Sequence, residues 1–223
     1  MRFRRLSGPG PQSRVPGLAG QTAQRYLVCM YGAKKVGMAT VDDLLMIPEG
    51  RRHHEIVDGT LVEKEAASGR HGGAQVRLSR KLGPYDRRSG GTLPGGWWFA
   101  SEVEVQLAPE DVFRPDVAGW RRERMEKLPS EVPILIRPDW VCEILSTNRR
   151  NDLIKKKRAH HRHAVAHYWL LDPDLETLTV NRWHMDGYVE ILLADRDERV
   201  RAEPFDGMEI CVGMLFGDDE DEA

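Results

Sequence analysis

Glu143 sits where a buried strand would prefer an apolar side chain, and Asp116 stands at the start of another candidate strand. Asp116 follows Pro115 at the head of the β-prone run 116–120, and Glu143 interrupts the apolar run 140–145. A carboxylate inside a buried strand is costly unless it is paired or binds a metal. If the two runs form neighbouring strands, both carboxylates converge at one end of a sheet and offer oxygen ligands to a hard cation such as Mg2+. A third polar group, here an ammonium, is then expected nearby. Strand alternation gives residue 145 the same face as Glu143, but Leu145 carries no charge, so the ammonium has to come from elsewhere. Lys155, Lys156 and Lys157 follow on a candidate helix. They are about 100° apart around its axis, so at most one looks into the site. Asp152, Lys156 and His160 share one face at spacings i, i+4 and i+8, which favours Lys156.

The segment that must position these groups is 138–173. Its outer runs, 140–145 and 167–171, are short and bulky, while the basic stretch 149–162 between them is long and lacks Pro and Gly. That pattern predicts strand, helix, strand. Upstream, Thr40 can cap a short helix with Asp42 and Asp43 in its first turn. Asp58-Gly59 between two β-prone runs predicts a hairpin. The stretch 69–88 reads as an amphipathic helix: Ala74, Val76, Leu78 and Leu82 point inward, Arg77, Arg80, Lys81, Arg87 and Arg88 point outward, and Gly90 and Gly91 stop it. The run 97–107 reads as one half-exposed strand, with Val103, Val105 and Leu107 on one face and Glu102, Glu104 and Gln106 on the other. A charged loop fills 121–133, and two further strands, 177–183 and 188–193, flank a turn at Asp186-Gly187.

These elements give an α/β domain over 38–215. Residues 1–37 hold seven Lys or Arg and no acid, without periodicity, and read as a disordered basic extension; 216–223 is an acidic tail. Order-promoting patterning begins after Met38, so a translation start there is the simpler reading, with a basic targeting leader as the other. At 223 residues and 40% hydrophobic content the chain can bury a core of ordinary size. Cys29, Cys142 and Cys211 form no metal-ligand or disulfide pattern, which suits a reducing, cytoplasmic setting. No stretch reaches the roughly 18 apolar residues of a membrane span. His160, His161, His163 and His167 lack the Cys or Glu-x-x-His partners of a zinc site.

Arg114-Pro115-Asp116, Glu143-Ile144-Leu145-Ser146, Asp152, Lys156 and the run from Val165 through Asp172-Pro173 resemble, in that order, the Uma-type restriction endonucleases of the PD-(D/E)XK nuclease superfamily. The stretch from His54 to Gly59 is similar to that family's opening motif, and the likeness covers about residues 40–193. It implies a restriction-endonuclease-like core, a central mixed β-sheet flanked by helices. It also implies Mg2+, or Mn2+ in its place, on Asp116 and Glu143 with help from the Ile144 carbonyl, and Lys156 as a catalytic lysine moved from strand to helix. Departures are His160 where the family has tyrosine, Ala164 where it has glycine, and Thr147 where it has proline. The implied substrate is nucleic acid, DNA ahead of RNA, with Arg77, Arg80, Lys81, Arg149, Arg150, Lys155 and Lys157 as candidate phosphate contacts. A solvated helix face is the plainer account of the basic run. Glu55, His71 and Asp152 are candidates for supporting positions around the site. Cutting both strands of a duplex takes two active sites, which makes a homodimer compatible. The rival readings are a nuclease-fold module that binds nucleic acid or protein without cutting, and a different metal-dependent hydrolase. Deleting residues 1–37 is expected to leave unfolding cooperative and the Tm within a few degrees by calorimetry.

Overall fold

The computed structural model describes residues 37–146 and 149–219. The basic extension up to residue 36, with Cys29, and also Thr147 and the last four residues of the acidic tail, lie outside the described residues. Local signals act first. Thr40 and Asp43 form a reciprocal capping box at the start of α1 (Val41–Leu45), which satisfies amide groups that the first turn leaves open. β1 (His54–Val57) and β2 (Thr60–Glu63) pair antiparallel with Val57 opposite Thr60. The two turn residues between them, Asp58 and Gly59, have φ of 50° and 73°, the left-handed conformation a tight hairpin needs. α2 (Gly69–Leu82) is capped by Ser68, whose hydroxyl accepts from the His71 N–H at 3.2 Å. It ends well before Gly90, because Pro84 has no N–H to give to the preceding turn.

The run 97–107 does not form one strand. β3 (Trp97–Ala100) and β4 (Val105–Ala108) belong to different sheets, and the chain turns between them at Glu102, whose φ is 56°. Glu104, expected on an exposed face, is buried and paired with Arg52 at 2.7 Å. Alternation reports the pleat and is blind to which sheet a strand joins. β5 (Asp111–Phe113), wholly buried, was too short to show a period.

The larger sheet adds β6 (Val117–Arg121), β7 (Trp140–Ile144), β8 (His167–Asp172), β9 (Thr177–His184) and β10 (Gly187–Ala194), in the order β10-β9-β8-β7-β6-β3. Only β7 and β8 run parallel within it. The expected crossover joins them as a π-helical turn, Asn151–Lys156, that continues into α3 (Lys157–Arg162). The smaller sheet is antiparallel, ordered β2-β1-β5-β4. A short ladder of β11 (Arg199–Val200) with β12 (Ile210–Cys211) and then α4 (Val212–Phe216) follow. The expected domain edge at 215 falls inside α4, and Asp218 of the acidic stretch pairs with Arg196.

Alternation along β7 divides the core. Trp140, Cys142 and Ile144 pack with Ala74, Leu78 and Leu82 of α2, whereas Val141 packs on the opposite face with Tyr168 and Leu170. Cys142 and Cys211 are buried and free. No helix among the described residues is long and apolar enough to cross a membrane. Phe205, outside any strand, lies with its ring centroid 4.9 to 5.7 Å from Tyr85, Trp97, Phe99, Trp140 and Trp169. Because every neighbour is a rigid ring on an anchored element, the space cannot close after truncation. Phe205→Ala is expected to cost about 3–5 kcal/mol in urea unfolding.

Candidate active site

β6 and β7 are antiparallel with Val117 opposite Cys142. One step further, the same register sets Asp116 opposite Glu143, and opposed residues point to one face of a sheet. Both carboxylates are buried. The Ile144 N–H donates to Asp116 Oδ2 at 2.6 Å, past the end of β6. Amide and carbonyl of one strand residue point to the same edge, so the Ile144 carbonyl also faces this side. Asp116, Glu143, Ile144 and Lys156 line a cavity of about 30 Å³, room for one water or one small cation. Glu143 Oε1 is buried there with no hydrogen-bond partner.

Lys156 is the lysine that turns inward; Lys155 is exposed and Lys157 half-buried. Its ammonium lies 2.9 Å from Glu55, 3.1 Å from Asp152 and 3.3 Å from Glu143. Burial would lower its pKa, but Glu143 and the other carboxylates outweigh that and hold it well above the lysine range. Burial drives the Glu143 carboxyl well above its ordinary value, and the Lys156 charge opposes it. Glu55 is anchored from its other oxygen, Oε1, by the Arg114 N–H at 2.7 Å. The smaller sheet thus reaches the site directly through Glu55, a closer role than the sequence suggested.

Two site residues escaped the sequence reading. Lys64, just after β2, sets its ammonium 2.7 Å from Asp116 Oδ1 and 2.9 Å from Glu102 Oε1. Glu102 lies at the break between β3 and β4. Neither belongs to a local motif; the doublet Glu102-Val103-Glu104 was visible, but the alternation assigned it to solvent. His71, in the first turn of α2, brings Nε2 to 3.2 Å from Asp116 Oδ1. Gln75, one turn on, donates to the Asp116 backbone carbonyl at 2.7 Å. Burial would raise the Asp116 carboxyl, but His71 and the Lys64 ammonium hold it below the usual carboxylate range.

The seven candidate phosphate contacts fall into separate groups. Arg77, Arg80 and Lys81 line a groove with Met214, Asp218 and Asp219, apart from the cavity. Arg149 pairs with Asp172, while Arg150 and Lys155 are exposed near the crossover. The crossover histidines also disperse: His161 meets the His184 carbonyl, His163 meets Asp111 and His167 meets Glu203.

His160, one turn beyond Lys156, is buried between Phe113 and Tyr168 with both ring nitrogens unbonded. Burial, with Lys156 nearby, drops its pKa from 6.5 to about 3. The unfolded chain therefore binds one more proton than the folded one between those values, and stability falls as pH falls from about 6.5 toward 3. The contribution of this one group approaches a slope of about 1.4 kcal/mol per pH unit. His160→Phe is expected to flatten that acid limb by one proton when denaturant midpoints are measured against pH.

Residues 41–213 match the family model Uma2, described as "Putative restriction endonuclease". A crystal structure titled as a putative nuclease belonging to DUF820, from Anabaena variabilis, superposes with a TM-score of 0.65 at 22% identity, covering 80% of this chain and 97% of that one. That similarity shows a shared fold, the restriction-endonuclease-like mixed sheet with flanking helices. No curated protein matches. The matched stretch takes in both sheets and the crossover between β7 and β8, and the chain belongs to the Uma2 family.

Proposed function

We propose that this chain is a Mg2+-dependent endonuclease that hydrolyses phosphodiester bonds, with DNA as the preferred substrate. The observation that carries the reading is the buried, unpartnered Glu143 Oε1 in a cation-sized cavity beside the charged Asp116. An all-oxygen donor set of Asp116, Glu143 and the Ile144 carbonyl fits a small hard divalent ion, with Mn2+ as a substitute. When bound, such an ion lowers the pKa of water and neutralises charge on the scissile phosphate.

The protein's own groups supply the rest. The Ile144 amide fixes Asp116 Oδ2, leaving Oδ1 turned toward Lys64 and His71. Glu55 and Asp152 hold the Lys156 ammonium in one position beside Glu143. A fixed cation at that point stabilises negative charge as it grows on the phosphoryl oxygens, with little reorganisation during the reaction. The hydroxyl of water joins phosphorus as the ester oxygen departs with a proton. Arg150 and Lys155 are exposed and would meet backbone phosphates, giving affinity without base preference. We place the protein in the cytoplasm, and a pair of copies would serve both strands of a duplex. The enclosure of the site favours one second reading, a nuclease-fold module that binds nucleic acid or protein without cutting, because Asp116, Glu143 and Lys156 are each at most 3% exposed.

Plasmid nicking in Mg2+ separates the two. Glu143→Gln keeps the shape and removes the charge, so cleavage should fall by orders of magnitude while the fold survives. Lys156→Met should depress cleavage as strongly but leave metal affinity nearly intact. Should the unaltered protein cut neither double-stranded nor single-stranded DNA nor RNA with Mg2+ or Mn2+, the binding module is the correct reading.

A further inference from the structure

Lys64 stands between two spaces. On one side is the small cavity with Glu143 and Lys156; on the other is an outer cleft lined by His53, His71, Gln75, Glu102 and Arg114. Its ammonium is held by Asp116 Oδ1 at 2.7 Å, by both Glu102 oxygens at 2.9 and 3.1 Å, and by the Arg114 carbonyl at 2.8 Å. Beside it, His71 is 5% exposed, with its Nε2 3.2 Å from Asp116 Oδ1 and its Nδ1 buried without a partner. One ligand atom from each of His71, Glu102 and Asp116 lies within 4.8 Å of the other two. Donors on one divalent ion, with bonds of about 2.0–2.2 Å, sit at most about 4.4 Å apart, so these three need draw in only slightly around an ion.

We propose that His71, Glu102 and Asp116 form a second cation site, separate from the one built on Glu143, and that the Lys64 ammonium is its occupant when metal is absent. The proposal takes from the nuclease reading only the role of Asp116 as a cation ligand. Lys64 and a metal would use the same oxygens, so each must displace the other. The class of metal follows from the imidazole: a nitrogen donor favours first-row ions such as Mn2+ over Mg2+, which prefers oxygen alone and gives up water reluctantly. His71 is suited to this role because its Nε2 already faces Asp116 Oδ1 at 3.2 Å while its Nδ1 has no partner to hold the ring elsewhere. Gln75 holds the Asp116 backbone from the same helix face, so α2 positions both His71 and the carboxylate it would share.

Mn2+ binding to the full chain, read by loss of the free-ion EPR signal, tests this without relying on cleavage. Lys64→Met should bind Mn2+ about tenfold tighter than the unaltered protein, as expected when a competing occupant is removed. Adding His71→Gln to Lys64→Met should cancel the gain and narrow the Mn2+ over Mg2+ preference. Adding Glu143→Gln instead should leave it in place. Because Lys64→Met strips Asp116 and Glu102 of a partner, its Tm is measured with and without Mn2+, and the rise should exceed that of the unaltered protein. The proposal is overturned if Lys64→Met binds no tighter, if the tight binding disappears with Glu143→Gln, or if His71→Gln changes nothing. A chain that cuts DNA yet fails these binding tests loses the second site and keeps the nuclease reading. One that passes them and cuts nothing does the reverse.

Discussion

Burying carboxylates beyond the number of cations available to neutralise them is the constraint on which the rest of this structure depends. Glu55, Asp152 and Glu143 gather around Lys156, and Asp116 and Glu102 around Lys64. A buried ion pair gains little over apolar packing, yet removing one member leaves its partner stranded in a low dielectric. The ammonium groups are therefore structural as well as chemical: they make it tolerable to hold five carboxyls in the seam where the two sheets meet. Glu143 Oε1, without a partner, is the point at which this balance stays incomplete. A buried acceptor in that state costs about 1–3 kcal/mol. A fold under selection for stability alone would have replaced it with an apolar side chain.

Position in the seam comes from backbone geometry. The antiparallel step between β6 and β7 aligns Asp116 with Glu143, and the end of β6 frees the Ile144 amide for Asp116. The parallel β7–β8 pair requires a crossover. Its first turn is π-helical, a local widening found often at functional sites, and carries Asp152 and Lys156 against the carboxylates. The smaller sheet then closes over them with Glu55 from β1 and Lys64 from beyond β2. Each group comes from a different element, so rigidity has to come from packing. The Phe205 cluster on the opposite face holds β3 and β7 together.

Much of this was legible in the chain. The carboxylate inside the apolar run of β7, the Asp-Gly hairpin, the Pro-free basic crossover and the i, i+4, i+8 set of Asp152, Lys156 and His160 are local patterns, and local patterns survive because strand and helix periods decide which residues share a face. The selection of Lys156 over Lys155 and Lys157 followed from that rule, and the structure turns Lys156 inward as the rule requires. What the sequence could not show depends on contacts between distant residues. That residues 97–107 break and change sheets, bringing Glu102 into the seam, is set by pairing with β5 and β6 and leaves no trace in the alternation. Lys64 meets Asp116 across 52 positions, and a lysine beside a hairpin looks like any solvated lysine until the second sheet is docked. Periodicity specifies a face of an element; only the tertiary structure decides what that face meets.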